Sequence, residues 1–179
     1  PGDGCLWIHL DFENDEVTAW LATESGLNDI AVEALVTPET RPRTLNRGEN
    51  LLLTLRGINH NPGDEPEDMV SLRIWTDGRR LISTRRRSLR STEVILKALG
   101  DGEGPTSAAD LIVAYAQQIS LQMHGTLEQF EDMLLDLEER VIGERDETIR
   151  LDLVDLRKRI ITIRRYLAPQ REALTRLAS

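Results

Sequence analysis

The feature that most restricts what this chain can fold into is a pair of apolar seams in its second half, spaced for helices. Met123, Leu127, Phe130, Leu134, Leu137 and Val141 follow one another at alternating intervals of four and three residues, with Asp and Glu filling the other faces. Leu153, Leu156, Ile160, Ile163, Leu167, Gln170, Leu174 and Leu177 repeat the alternation, and Gln170 is the one polar member. Side chains at this spacing share one helix face, and a face this apolar must be covered by another helix or by a second copy of the chain. Gly143 ends the first helix and the second starts near Asp146. Pro169 falls inside the second run and removes one helical hydrogen bond, so a kink over 162–165 or a break is expected there. The seam is still running at Leu177, and its continuation past Ser179 is the expectation.

The first half has a different grammar. Cys5 to Leu10 is a short apolar run that reads as a strand, and Asn14 or Asp15 then caps a helix over Glu16 to Ser25 that Gly26 ends. A second short helix is expected from Asn28 to Val36, stopped by Thr37-Pro38. Leu51-Leu52-Leu53-Thr54-Leu55, within a strand from Asn50 to Ile58, is apolar on both faces, as in a covered sheet. An acidic Pro/Gly loop follows. Val70 to Trp75 and Leu81 to Arg85 then read as a hairpin across Asp77-Gly78. The segment from Gly100 to Pro105 breaks the chain before Thr106 or Ser107 can cap the long helix. The fold class expected is α+β, an α/β/α sheet domain over 1–104 followed over 105–179 by long antiparallel helices, the last a truncated stalk.

Aromatic residues make up 4% of the chain, so the packing should be aliphatic. A lone Cys5 cannot form an internal disulfide and suits a reducing compartment. Residues 111–127 lack formal charge but hold Gln117, Gln118, Gln122 and His124, which argues against a bilayer span. The net charge of −9 is local, because residues 1–40 carry nine Asp and Glu and no Lys or Arg. Arg79, Arg80, Arg85, Arg86, Arg87 and Arg90 form the opposite cluster, with donors that suit small anions. The acidic N-terminal segment is expected to neutralise them in the fold, and no nucleic-acid partner is expected. No nucleophile elbow, phosphate loop or paired-cysteine motif is present, so no enzyme is expected.

Metal ligation has one arrangement in its favour. His124, Glu128 and Asp132 stand at successive i, i+4 positions of one helix face, a histidine and two carboxylates that suit zinc once water or a neighbouring subunit completes the shell. A plain solvated face beside the seam is the alternative. His9 and Asp11 point to the same side of a strand, His60 sits in an Asn/Pro/Gly loop, and Cys5 has no second thiol nearby.

The order of motifs resembles a known family. Trp7-Ile8-His9-Leu10, Gly26-Leu27 with Ala31 to Leu35, and Arg41-Pro42-Arg43 look like the start of CorA-type divalent-cation transporter domains. The stretch from Arg56 to Gly63, followed by Pro66 to Trp75, is similar to the zinc-transporting branch, ZntB. Leu167-Ala168-Pro169-Gln170-Arg171-Glu172 resembles the family's stalk helix. The resemblance implies a homopentamer whose domain forms a funnel on the cytoplasmic side of the bacterial inner membrane. It implies a divalent cation as cargo, zinc first and magnesium second, and membrane helices following Ser179. The function so implied is to sense or concentrate cations and couple them to the pore. The alternative is a soluble coiled-coil interaction protein carrying a generic α/β module.

Overall fold

The computed structural model describes residues 4–38, 41–143 and 147–178. Asp146, where the second seam is expected to begin, lies outside them. The elements run β1 (Leu6–Asp11), α1 (Asp15–Thr23), α2 (Asp29–Val36), β2 (Arg43–Arg47), β3 (Asn50–Gly57), β4 (Val70–Thr76), β5 (Arg80–Arg85), α3 (Arg90–Gly100), α4 (Ala108–Gly143) and α5 (Glu147–Leu177). The five strands form one mixed sheet in the order β1-β5-β4-β3-β2, parallel only where β1 meets β5. The β4–β5 pair is the expected hairpin: Asp77 Oδ1 accepts from the Arg79 and Arg80 amides, and Gly78 takes a φ of 85° that suits glycine.

Both faces of the sheet are covered, which is why its strands read apolar throughout. Leu53, Leu55, Leu72, Ile74 and Leu81 point toward α3 and the first third of α4, meeting Ile95, Leu111, Ile112, Tyr115 and Ile119. Leu52, Trp75 and Ile82 point the other way onto Leu21, Ala31 and Leu35 of α1 and α2. The helices begin where the sequence marks them. Asn14 accepts from the Glu16 amide, Asn28 from the Ala31 amide, and Ser107 from the Asp110 amide.

Beyond the sheet, α4 and α5 form an antiparallel pair. Arg140 meets Asp152 near their connection, while Phe130, farther back on α4, meets Arg159, farther on along α5. Their seams close on each other: Met123, Phe130, Leu137, Ile149, Leu156 and Ile163 share one core, footed on Ile58 and Met69 of the sheet domain. The helix is not broken at Pro169, and α5 runs through it to Leu177. Two elements had no counterpart in the sequence reading. β2 is a charged edge strand, Arg-Thr-Leu-Asn-Arg, with too few apolar residues to announce itself, and α3 starts at a Leu89 cap without a side-chain hydrogen bond.

Gln170 has a specific task. β2 pairs with β3 only as far as Thr54, which leaves the edge of β3 uncovered at Arg56. Gln170 reaches in from α5 and continues the ladder, its Oε1 accepting from the Arg56 amide at 2.7 Å and its Nε2 donating to the Arg56 carbonyl at 2.9 Å. The polar residue in the apolar seam therefore replaces a missing strand.

Candidate functional site

The long helix α4 carries the three residues expected to ligate a metal. His124 Nε2 lies 3.3 Å from Glu128 Oε1, with the two side chains 72% and 62% exposed. Asp132, one turn further, turns into the groove between α4 and α5. The triplet is thus divided into an exposed His–Glu contact and a carboxylate facing α5. Among the described residues no three His, Cys, Asp or Glu side chains converge as a metal-holding group.

The groove that Asp132 enters has a volume of about 590 Å³ and is lined by Asp132, Asp136, Asp152 and Asp155 together with Arg140 and Arg159. Its carboxylates come from the polar positions flanking both seams, so burying the apolar residues brings two acidic rows face to face. Arg140 bridges the rows, 3.7 Å from Asp136 and 3.4 Å from Asp152. Arg159 is turned away to Glu67 at 3.0 Å and Glu65 at 3.5 Å, where it also stacks on Phe130. Asp132 and Asp155 have no ion pair among the described residues. Carboxylates facing one another in this way set up a negative field that attracts hydrated cations, and a basic residue between them limits their repulsion. Asp136, Asp152 and Asp155 are the residues the sequence reading did not single out. The signal was present as Asp132–Asp136 at i, i+4 and Asp152–Asp155 at i, i+3, but nothing in one sequence says which two helix faces meet.

Of the other candidate ligands, His9 and Asp11 make structural contacts. His9 is half-buried beside Ser83, whose hydroxyl stands 2.8 Å from His9 Nδ1 and accepts from Trp7 Nε1 at the same distance. Burial, aided by the Arg85 charge and opposed by Asp11, holds the His9 imidazole down at about 4. Asp11 pairs with Arg85 at 3.3 Å and Glu13 with Arg86 at 2.6 Å, so the acidic N-terminal segment meets the arginine cluster as its charge pattern suggested. His60 is exposed in its loop and Cys5 is a half-buried free thiol that burial pushes up.

Comparison with known proteins places this geometry. The family model described as "CorA-like Mg2+ transporter protein" matches residues 2–179. The chain is 42% identical over 175 residues to the divalent cation transporter CmaX of Pseudomonas aeruginosa, covering 97% of this chain and 53% of that one. The solved structure of full-length CmaX superposes with a TM-score of 0.91 at 41% identity, over 97% of this chain and 54% of that chain. The ZntB cytoplasmic domain from Vibrio parahaemolyticus gives a TM-score of 0.85 at 30% identity, over 96% of this chain and 68% of that one. The chain spans about half the length of the curated relative it matches. No helix among the described residues is long and apolar enough to cross a membrane.

Proposed function

The chain belongs to the CorA-like Mg2+ transporter family, and on that premise we propose that it is the cytosol-facing domain of a divalent-cation transporter, gathering or sensing cations and coupling their occupancy to a pore. The observation that carries this reading is the match to CmaX along 97% of the chain, with its acidic α4–α5 groove as the physical means. Coupling requires a cation to bind one pore state better than another. Opposed aspartate rows supply that difference, because removing a dication restores their repulsion and favours a wider spacing. Zinc is the first cargo we assign, given the likeness to a ZntB domain, and magnesium the second.

Several parts of this reading concern the assembled protein. Copies of the chain associate as a ring, a pentamer, held at the inner face of a bacterial membrane by segments that lie outside this sequence. Leu121, Leu135, Leu151, Val154 and Ile161 are apolar, exposed and outside the α4–α5 core, and they are suited to cover one another between copies. In such a ring a neighbour can add donors to the exposed His124–Glu128 pair, while Asp132 serves the groove.

A chimera tests the proposal. This chain, put in place of the matching region of CmaX, is expected to support divalent-cation transport by reconstituted vesicles. A chimera that inserts and assembles but moves neither zinc nor magnesium would contradict it.

A further inference from the structure

A second cavity, of about 320 Å³, opens at the end of the sheet that α1 and α2 leave uncovered, and its wall is dominated by arginine. The strand register explains the crowding. Arg56 of β3 is directly opposite Ser71 of β4, and Arg73, two residues along, is opposite Thr84 of β5. Side chains alternate along a strand, so Arg56, Ser71 and Arg73 fall on one face. Arg86 and Arg87, just past β5, and Arg165 of α5 close the rim.

Arg73 is the anchor. It is 1% exposed, donates through Nε to the Thr37 carbonyl at 2.9 Å and through Nη2 to the Pro38 carbonyl at 2.8 Å, and its plane covers Phe12. Its remaining terminal nitrogen, Nη1, is buried and without a hydrogen-bond partner among the described residues. A guanidinium held by three contacts while a buried N–H group goes unanswered is destabilising, unless something in the cavity accepts. Burial, with the neighbouring Arg56 and Arg86 charges, holds Arg73 down at about 10, the direction expected where a counter-charge is wanted.

The same cavity presents one buried acceptor in the same condition. Glu67 Oε1 takes the Arg159 bond, but Glu67 Oε2 is buried and has no partner among the described residues. A cavity whose lining residues carry both an orphan donor and an orphan carboxylate acceptor is a poor match for chloride or sulfate, which offer no proton. Hydrogen phosphate offers both functions, with P–O⁻ oxygens for the arginines and a P–O–H for the carboxylate.

We propose that this cavity is a phosphate-selective oxyanion site, in which Arg73, Arg56 and the rim arginines hold the anionic oxygens and Glu67 accepts the phosphate hydroxyl. The ligand is either free inorganic phosphate, which keeps a P–O–H at neutral pH, or the terminal phosphate of a nucleotide in its singly protonated form. The chemistry at the arginines is shared, and the cavity sits on the contact between the sheet and α5. Occupancy would tie β4 to α5.

Titration calorimetry with inorganic phosphate, AMP, sulfate and chloride, at matched ionic strength, tests this. Phosphate or AMP is expected to bind at least about tenfold more tightly than sulfate or chloride. Binding of inorganic phosphate alone identifies the free ion, and binding of AMP identifies a nucleotide; either result supports the site. Arg73→Gln endangers the fold, so the partly exposed Arg86→Gln/Arg165→Gln pair is the cleaner variant, with an expected loss of about tenfold and an unchanged circular dichroism spectrum. Glu67→Gln supplies an N–H in place of the acceptor and should bring sulfate to within about threefold of phosphate. Equal affinity for sulfate and phosphate in the native chain, or no saturable heat with any phosphate, would overturn the proposal and leave water as the occupant.

Discussion

At the residue scale, two polar side chains inside apolar surroundings show how function and stability divide. Gln170 was visible in the sequence as the one break in a seam, yet its reason was not, because the start of β2 at Arg43, opposite Thr54, and the uncovered edge at Arg56 are properties of the sheet. Gln170→Leu removes both bonds to the Arg56 backbone and should lower the unfolding free energy by about 2–4 kcal/mol, measured by urea denaturation, with faster exchange of the Arg56 amide. His9 gives a pH signature. Its folded value of about 4 lies below the ordinary 6.5, so the unfolded chain binds the proton first. Stability attributable to His9 is complete above about pH 6.5 and is lost as pH falls toward 4, by roughly 1–3 kcal/mol. The His9→Gln variant should flatten the pH dependence of thermal unfolding across that window, and an unchanged slope would remove His9 from the account.

At the scale of elements, the spacing of apolar residues carried most of what could be known in advance. The α4 and α5 seams, the β4–β5 hairpin and the Asn14 and Asn28 caps are local patterns, written within a few turns or strands of chain. What escaped was non-local. β2 and α3 are stabilised by what they touch, the edge of β3 and the flank of α4, rather than by their own periodicity. The seams also left open whether they meet each other or a second copy. The structure answers for their centre: Ile163 is fully buried within one chain, in the core it shares with Phe130 and Met69, whereas Ile161 is 56% exposed. Ile163→Ala should therefore cost about 2–4 kcal/mol in denaturant unfolding with the oligomer mass unchanged at low denaturant. Ile161→Ser should leave the unfolding of the single chain within about 0.5 kcal/mol. A reversed pattern would place the seam between subunits.

At the scale of the whole molecule, three layers fix a sheet domain, and the paired helices extend from it as a lever roughly 54 Å long in α4 at ~1.5 Å per residue. Its acidic groove lies along that lever, on the elements whose spacing a bound dication would change. The His124, Glu128 and Asp132 spacing drew attention to one face of α4, but one helix could not reveal that Asp132 lines a groove with Asp152 and Asp155 of α5. The measurement that bears most directly on the central claim, cation capture by this surface, is calorimetric titration of the metal-stripped chain with zinc, in parallel with an Asp132→Asn/Asp155→Asn variant. The account predicts saturable binding with a dissociation constant of about 1 μM or weaker, reduced several-fold in the variant. Absence of any heat of binding up to about 1 mM zinc, or binding untouched by the double substitution, would contradict it.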